Sequence, residues 1–508
     1  MSFNNRIRAL YSLSVLSTSA FLLAKITRAE KDEANVRTQQ PPSPRIAVVG
    51  GGIGGTSSAY FLRELFGEAA QIDVYEPGSI GGRVASILVG DRKYECGASI
   101  IHPRNKYMVQ HAEKFGLKHR KDVTVLMGSY DGKEFVFEES SWGFITILKM
   151  LWQYGWRDLF GLQREVNKML KSFDSIYDFQ ENGRCFTTVR DMMQAMGGDD
   201  FVRWTMSPAD QVLREMKFSE LFISQVVSLA TRVNYGQEPN MEAFAAFVSL
   251  AGVQPGLWAV NGGNELLPQN FLAKSNSTVM NSTVTSITLH ASNKLETNST
   301  FSVTSSSEGN SQTHNYDMVI IATPLVSRIS SIQFNGFPTP IGPYPGEYRS
   351  TVATFAKGTV NKEEFGKSKD EFIPGEILTT QEIPLGIRSV SKTFPIDFKG
   401  DSDKDNFVYK VFSTDVPTEK QMSQIFSSYS NDVYRAWLAY PYYRNVDIDT
   451  VAPFQLYPGL FYVNAIEWAA SAMEMSAIGA KNSALLAKKH WSGGGEESVV
   501  VGSQKIEL

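Results

Sequence analysis

A cluster of glycines directly follows a short apolar segment near the start of the chain. Residues 45–49 form a continuous, mostly β-branched run, which is typical of a strand buried on both faces of a parallel sheet. The next six residues are Gly50, Gly51, Gly52, Ile53, Gly54 and Gly55. Gly50, Gly52 and Gly55 match G-x-G-x-x-G, which permits a tight turn, close approach to a pyrophosphate and close helix packing. With a helix predicted over 56–66, this pattern indicates a Rossmann-type α/β unit whose turn, including Ile53 and Gly54, faces phosphates.

An acidic residue ends the next predicted strand. Residues 71–76 alternate apolar and polar side chains, and the last of them, Glu76, lies 26 positions after Gly50. Rossmann-type units carry an acid about 20 residues beyond the glycines, where it binds the ribose hydroxyls. Because a carboxylate there repels a 2′-phosphate, the pattern disfavours NADP.

A second glycine pair distinguishes between the remaining dinucleotides. Gly81, Gly82 and Arg83 follow Glu76 closely and resemble the G-G-R-x-x-S/T signature of the FAD-dependent amine-oxidase-like superfamily. The glycines let the chain pass close to the pyrophosphate, and the arginine supplies a fixed charge with fork geometry. The signature therefore favours FAD over NAD.

Later segments are expected to return to the nucleotide domain by the same resemblance. Residues 316–324 predict a buried strand ending in a small-residue turn at Ala322, and Val284 is where an adenine-side backbone contact falls. Residues 459–467 predict a strand ending in Glu467, which would lie near the ribityl chain. A helix predicted over 468–486, containing Met475, would begin beneath the flavin ring, although its Met and Ala residues equally suit core packing.

The 508 residues exceed what one hydrophobic core usually supports, so two connected domains are expected. We predict an α/β fold with a Rossmann-type FAD-binding domain and an α+β substrate domain of helices and a mixed sheet. The FAD-binding segments are 45–104, 237–328 and 450–491; the substrate-domain segments are 105–236, mainly helical, and 329–449. A net charge of −4 argues against nucleic-acid partners, and no metal-ligand spacing occurs.

The N-terminus resembles a secretory signal. Arg6 and Arg8 precede a short apolar run, so residues 1–29 are expected to be a signal peptide and 30–44 a polar linker. No transmembrane helix is expected after its removal, and residues 492–508 are expected to be a disordered tail.

Three sequons, at Asn276, Asn281 and Asn298, predict N-glycosylation. Together with the leader they predict a protein of the secretory pathway, in a lysosome or vacuole, with the endoplasmic reticulum as the alternative.

Six segments together resemble one family, the prenylcysteine oxidases, also called prenylcysteine or farnesylcysteine lyases. The matching segments are residues 53–57, 81–83, 94–103, 248–252, 257–264 (LWAVNGGN) and 467–477 (EWAASAMEMSA). The resemblance implies an FAD-dependent thioether oxidase of an endomembrane compartment. Such an enzyme cleaves farnesyl- or geranylgeranyl-cysteine with water and oxygen to a prenyl aldehyde, cysteine and hydrogen peroxide, and no stable protein partner is predicted.

This chemistry requires neither a protein nucleophile nor a metal, since the cofactor performs the oxidation. For proton handling the candidate catalytic residues are His102 and Glu474. His102 follows a segment expected to run toward the flavin, and imidazole titrates near neutral pH. The alternative is a structural histidine, hydrogen-bonded ahead of Pro103.

Two aromatic and Met-rich segments, 142–156 and 201–216, are candidates to line a prenyl site, although any single residue in them is more often core. Two other functions share part of the pattern. Another amine-oxidase-like flavoenzyme would carry every nucleotide motif, and a prenyl-binding escort protein would share the fold without redox chemistry. Glu76, the Gly81–Arg83 turn and the leader argue against the escort protein.

Overall fold

The computed structural model describes residues 43–121, 125–290, 300–400 and 403–493, and the folded unit begins at Arg45. Outside the described residues lie the predicted signal peptide, residues 30–42 of the predicted linker, Asn298, and residues 494–508 of the predicted tail. The strands are β1 Arg45–Val49, β2 Gln71–Tyr75, β3 Ser86–Val89, β4 Arg92–Glu95, β5 Met127–Tyr130, β6 Phe135–Glu138, β7 Thr278–Met280, β8 Thr283–His290, β9 Thr300–Ser307, β10 Asn310–Tyr316, β11 Met318–Ile321, β12 Gln333–Asn335, β13 Tyr348–Val360, β14 Glu376–Thr379, β15 Ile387–Thr393, β16 Val408–Ser413, β17 Phe426–Pro441, β18 Gln455–Tyr457 and β19 Leu460–Tyr462. The α-helices are α1 Ile53–Phe66, α2 Lys106–Lys114, α3 Gly143–Phe173, α4 Ser175–Glu181, α5 Val189–Trp204, α6 Ala209–Glu215, α7 Glu220–Phe222, α8 Ser228–Tyr235, α9 Ala243–Ala251, α10 Leu266–Ser275, α11 Glu419–Ile425 and α12 Met473–Trp491.

The glycine turn belongs to a six-stranded sheet with the order β18-β19-β11-β1-β2-β7. β1 lies inside this sheet, parallel to β2 and β11, with Val48 beside Val74 and Ile320. Its side chains from Ile46 to Val49 are buried, as expected for an apolar strand covered on both faces. The strands come from three separated stretches of chain, which confirms the predicted Rossmann-type fold built from discontinuous segments.

A second, seven-stranded sheet has the order β17-β13-β16-β15-β14-β5-β6. The sheet is mixed, because β14 and β5 are parallel whereas all other neighbouring strands in it are antiparallel. β5 and β6 arise from the stretch 105–236, which was predicted to be mainly helical; they complete one edge of this sheet. A third sheet has the order β10-β9-β8-β12. Its strand β12 lies after residue 328, where the second FAD-binding segment was predicted to end.

The last helix begins later than predicted. The predicted strand 459–467 stops at Tyr462, residues Val463–Trp468 form a 3-10 turn, and α12 starts at Met473 rather than at residue 468. Tertiary contacts hold that turn: the Glu467 carboxylate is buried in a hydrogen-bond network, and Trp468 packs against the backbone of Gly346. Local helical propensity is overridden by these contacts.

The two aromatic segments have opposite environments. Phe201 and Trp204 are buried in the core, in line with the more common environment of such residues. The prediction that residues 142–156 line a prenyl site or belong to the core is wrong, because Trp142, Trp152 and Trp156 are 65%, 90% and 70% exposed. None of the helices in the described ranges has the length and apolarity needed to span a bilayer.

Candidate active site

The glycine turn lies at the carboxyl end of β1, where close packing excludes side chains on its inner side. A Cβ at Gly50, where φ is +110°, would lie 2.7 Å from the Ala322 carbonyl oxygen, and one at Gly55 would lie 1.8 Å from the Gly50 oxygen. A Cβ at Gly52 would have only the Gly81 oxygen, at 3.9 Å, within reach. The turn is therefore closed toward the protein and open on its outer side.

The outer side of the turn presents the start of α1. Helix α1 begins at Ile53 rather than at residue 56 as predicted, so Ile53 and Gly54 lie in its first turn. The first N–H groups of a helix have no partner within it and carry the positive end of its dipole. Together with the open space at Gly52, this arrangement suits a pyrophosphate.

Glu76 directly follows β2 at the same edge of the sheet. One carboxylate oxygen accepts the Gly51 N–H and the other accepts the Gly78 N–H, each at 2.8 Å. These bonds fix the carboxylate beside the turn while leaving each oxygen a lone pair for a hydroxyl donor.

Gly81, Gly82 and Arg83 form the second turn, which lies on the first. The Gly81 N–H donates to the Gly51 oxygen at 2.9 Å, and both glycines have positive φ, +122° and +57°. A Cβ at Gly82 would lie 3.3 Å from the Gly52 Cα, so two backbone segments approach closely here.

Arg83 is held by Glu467, which the structure places behind the arginine and outside the cavity wall. The Arg83 guanidinium forms an ion pair with the Glu467 carboxylate and donates to the Ala439 oxygen at 2.6 Å. Glu467 is 1% exposed and also accepts from the Tyr348 hydroxyl at 2.8 Å and the Asn464 amide at 2.9 Å. Glu467 therefore positions Arg83, and its predicted place near the ribityl chain stays a prediction.

A cavity of about 740 Å³ opens from these turns toward the seven-stranded sheet. Three predicted cofactor residues, Ile53, Arg83 and Met475, line it, whereas the glycines, Glu76, Ala322 and Val284 lie outside its wall. Val284 is buried on β8, beside a register shift that displaces this backbone from regular pairing. The apolar part of the wall includes Val125, Met169, Leu170, Phe173, Val248, Leu257, Leu378, Phe394, Phe412 and Trp437.

A cluster of ionisable groups in this wall was missed by the sequence analysis. Lys410, on β16, is 6% exposed, and its Nζ donates to the Glu95 carbonyl oxygen at 3.1 Å and the Ser99 hydroxyl at 3.2 Å. Glu95 accepts the Asn264 N–H at 2.6 Å through Oε1. Within the described residues, Glu95 Oε2 and Arg120 Nη1 are buried without a hydrogen-bond partner. Such buried atoms need a hydrogen-bond partner, which a bound water or a polar group of a ligand would supply.

Burial shifts both central groups of this cluster toward neutrality. It raises the pKa of Glu95 to about 7, against the opposing hydrogen bond from Asn264. It lowers the pKa of Lys410 to about 8, although the nearby Cys96 and Glu95 favour the charged amine. The cluster can therefore exchange protons near neutral pH.

The two predicted catalytic residues line the cavity but are committed to structural bonds. His102 Nδ1 accepts the Arg104 N–H at 3.1 Å and its Nε2 pairs with the Gln254 amide oxygen at 3.2 Å, so both ring nitrogens are engaged in hydrogen bonds. Burial lowers the pKa of His102, which favours this neutral form.

Glu474 binds the start of α2. Its carboxylate accepts the backbone N–H groups of Tyr107 and Met108 at 2.8 and 2.9 Å, and the Tyr177 hydroxyl at 2.8 Å. Burial raises its pKa to about 7 against these three bonds. The arrangement is that of an anion at a helix N-terminus, which ties α12 to α2.

Asn276 and Asn281, two of the three predicted glycosylation sites, are exposed, and the structure places them around β7. In the described part of the chain, no group of His, Cys, Asp and Glu side chains is arranged to hold a metal ion.

Comparisons with known proteins agree with this geometry. The profile of the prenylcysteine lyase family matches residues 137–498, and that of NAD(P)-binding Rossmann-like domains matches residues 48–115. Prenylcysteine oxidase 1 of Bos taurus is 38% identical over 458 residues, covering 89% of this chain and 90% of the bovine protein. Prenylcysteine oxidase 1-like of Homo sapiens is 35% identical, covering 94% and 96%.

Solved structures share the fold at low sequence identity. A fatty acid isomerase from P. acnes aligns with a TM-score of 0.60 and 12% identity over 87% of this chain and 98% of that one. Cyclohexylamine oxidase from Brevibacterium oxydans aligns with a TM-score of 0.55 and 14% identity, over 88% of this chain and 99% of that one. With a family match across most of the chain and relatives of 35% and 38% identity over about nine-tenths of it, the chain belongs to the prenylcysteine lyase family.

Proposed function

We propose that this protein is an FAD-dependent oxidase that cleaves farnesyl- or geranylgeranyl-cysteine during breakdown of prenylated proteins. The observation that carries the proposal is the single cavity that extends from Ile53 and Arg83, beside the glycine turns, to an apolar wall on the second domain. An apolar chain fits the wall, and a dinucleotide fits the turns. The names of the relatives point to the same substrate class.

The residues at the nucleotide end fit FAD. The N–H groups of Ile53 and Gly54 would bind the pyrophosphate and Glu76 the adenosine ribose, while Arg83, with 32% of its side chain exposed, presents a fixed cation to the cavity. Bound FAD would supply the two-electron acceptor for oxidation beside sulfur, with oxygen as the terminal acceptor.

The net reaction consumes one prenylcysteine, one water and one oxygen molecule. A C–H bond at the allylic carbon breaks with loss of hydride, water adds to that carbon, and the C–S bond then breaks to leave an aldehyde and the cysteine thiol; oxygen becomes hydrogen peroxide. Water addition releases one proton, which together with the hydride reduces oxygen to hydrogen peroxide. Collapse of the hemithioacetal releases its hydroxyl proton, which the departing thiolate takes up. Lys410 and Glu95 are the groups that fit this transfer, because both face the cavity and titrate near pH 7 to 8.

Purified protein is expected to be yellow, and to convert farnesylcysteine to farnesal with one hydrogen peroxide per aldehyde. The measurements are the flavin absorbance spectrum, mass spectrometry of the aldehyde and a peroxide assay, with putrescine as the control substrate. Peroxide from putrescine but not from farnesylcysteine would identify a different flavoenzyme. Tight farnesylcysteine binding by a colourless protein would instead support the escort protein.

Replacement of Lys410 by Met is expected to lower kcat by about a hundredfold or more, because a general acid–base group contributes at least that factor. In the wild type, kcat/KM should rise with pH through about 7 to 8 as these groups lose protons, and Lys410→Met should lose the upper part of this rise. Lys357→Met, at an exposed position of the same sheet, is the matched control. An unchanged pH profile with full FAD binding in Lys410→Met would exclude the role.

We also propose that the protein acts in the secretory pathway, in a lysosome or vacuole. The N-terminal leader and the exposed Asn276 and Asn281 support this location. Protein made in eukaryotic cells is expected to gain gel mobility on treatment with peptide N-glycosidase, and to lose this shift when Asn276, Asn281 and Asn298 are replaced by Gln. Native protein that carries no glycan and retains its leader would contradict the proposal.

A further inference from the structure

Seven large apolar side chains are exposed in one short stretch around the start of α3. We define them as the aromatic face: Trp142, Phe144, Ile147, Leu148, Trp152, Trp156 and Phe160. Each is between 58% and 90% exposed, and together they are seven of the 17 large hydrophobic residues exposed in the described part of the chain. Because single exposed apolar residues are normal whereas clusters mark contact surfaces, this concentration requires a partner.

These side chains lie on either side of a kink in α3. Phe144, Leu148 and Trp152 recur every four residues before the kink, and Trp156 and Phe160 do so after it. Gly155 has φ +76° and ψ 154°, which are not helical, so it is the exposure of the side chains and not one continuous helical period that groups them into the aromatic face.

The opposite side of the helix is firmly attached to the protein. The Tyr154 hydroxyl donates to the Gln225 amide oxygen at 3.1 Å, and the buried Asp158 accepts the Ser219 N–H at 3.0 Å. Tyr154 also packs edge-on against Phe222. The aromatic face is thus exposed on a docked helix, and rotation of the helix cannot bury it without breaking these bonds.

The charges beside the aromatic face have one sign. From Trp142 to Phe160 the exposed ionisable side chains are Lys149 and Arg157, since Asp158 is buried. Farther along α3, Lys168 and Lys171 are also exposed. Tryptophan and phenylalanine flanked by lysine and arginine are typical of helices that lie in a membrane interface, where anionic headgroups attract the cations.

We propose that the aromatic face docks this protein on the surface of a bilayer containing anionic lipid, with α3 lying in the interface plane. Protein interfaces are also enriched in tryptophan, phenylalanine and arginine, so a protein partner is the alternative occupant that the vesicle and dimer measurements below test.

The same helix leads to the cavity. Met169, Leu170 and Phe173, in its last turns, form part of the apolar wall described above. The docking proposal depends only on the aromatic face. The purpose of docking rests on the proposed function: a prenyl chain dissolved in lipid would reach the cavity along α3 without crossing water.

Vesicle binding of the full-length holoprotein tests the docking. Co-sedimentation is measured with phosphatidylcholine vesicles with and without phosphatidylserine, together with quenching of tryptophan fluorescence by brominated lipid. The test variant is Trp152→Glu with Trp156→Glu. The control is Leu88→Glu with Leu438→Glu, which replaces two exposed apolar residues near the opposite edge of the seven-stranded sheet.

Wild type and control are expected to bind, more tightly with phosphatidylserine, and the tryptophan variant to bind at least about tenfold less, the factor that 1.4 kcal/mol of lost burial represents. Its circular dichroism and turnover of detergent-dispersed farnesylcysteine should be unchanged, and its turnover of vesicle-dissolved farnesylcysteine reduced. Failure of the wild type to bind, equal binding by the variant, or a dimer that the variant dissociates would overturn the proposal. Vesicle binding without any turnover would contradict the proposed function and leave the docking intact.

Discussion

The ion pair between the partly exposed Arg83 and the buried Glu467 joins the parts of this protein that make its site. Arg83 belongs to the turn that rests on the glycines, Glu467 to the 3-10 turn before α12, and the Tyr348 hydroxyl reaches the same carboxylate from the second sheet. Burial of a charge such as Glu467 is costly unless it is paired and its remaining hydrogen-bonding capacity is used. Here the Asn464 amide donates to the same carboxylate and the Ala439 carbonyl oxygen accepts from Arg83, so the pair ties the segment after β19 to β13 and β17 of the seven-stranded sheet.

The cavity wall combines polar and apolar groups. At the nucleotide end, backbone groups and Arg83 provide positive potential, and elsewhere in the wall Phe394, Phe412 and Trp437 provide an apolar surface. The same wall contains Glu95 and Lys410, whose protonation is controlled by burial. Titratable groups in a largely apolar wall suit oxidation next to sulfur in a lipid-like substrate, since protons must be moved where water adds.

The sequence predicts the parts of the site that local pattern encodes. The glycine turn, Glu76 and the Gly81–Arg83 turn could be read because their spacing follows from the geometry of one strand–helix–strand unit. Lys410 could not, because a lysine on an alternating strand normally points to solvent, and only the packing of the second sheet against the segment around Glu95 buries it. Helical spacing likewise groups Phe144, Leu148 and Trp152 on one face but cannot tell whether that face meets a core, a cavity or the surface.

The most direct test of this account is a crystal structure of the protein with FAD and an unreactive thioether analogue of farnesylcysteine. In that structure the pyrophosphate is expected to lie against the N–H groups of Ile53 and Gly54, and the redox end of the cofactor beside Arg83. The sulfur is expected within reach of Lys410, with the prenyl chain along the apolar wall. A dinucleotide bound away from the glycine turns, or a thioether outside the cavity, would contradict it.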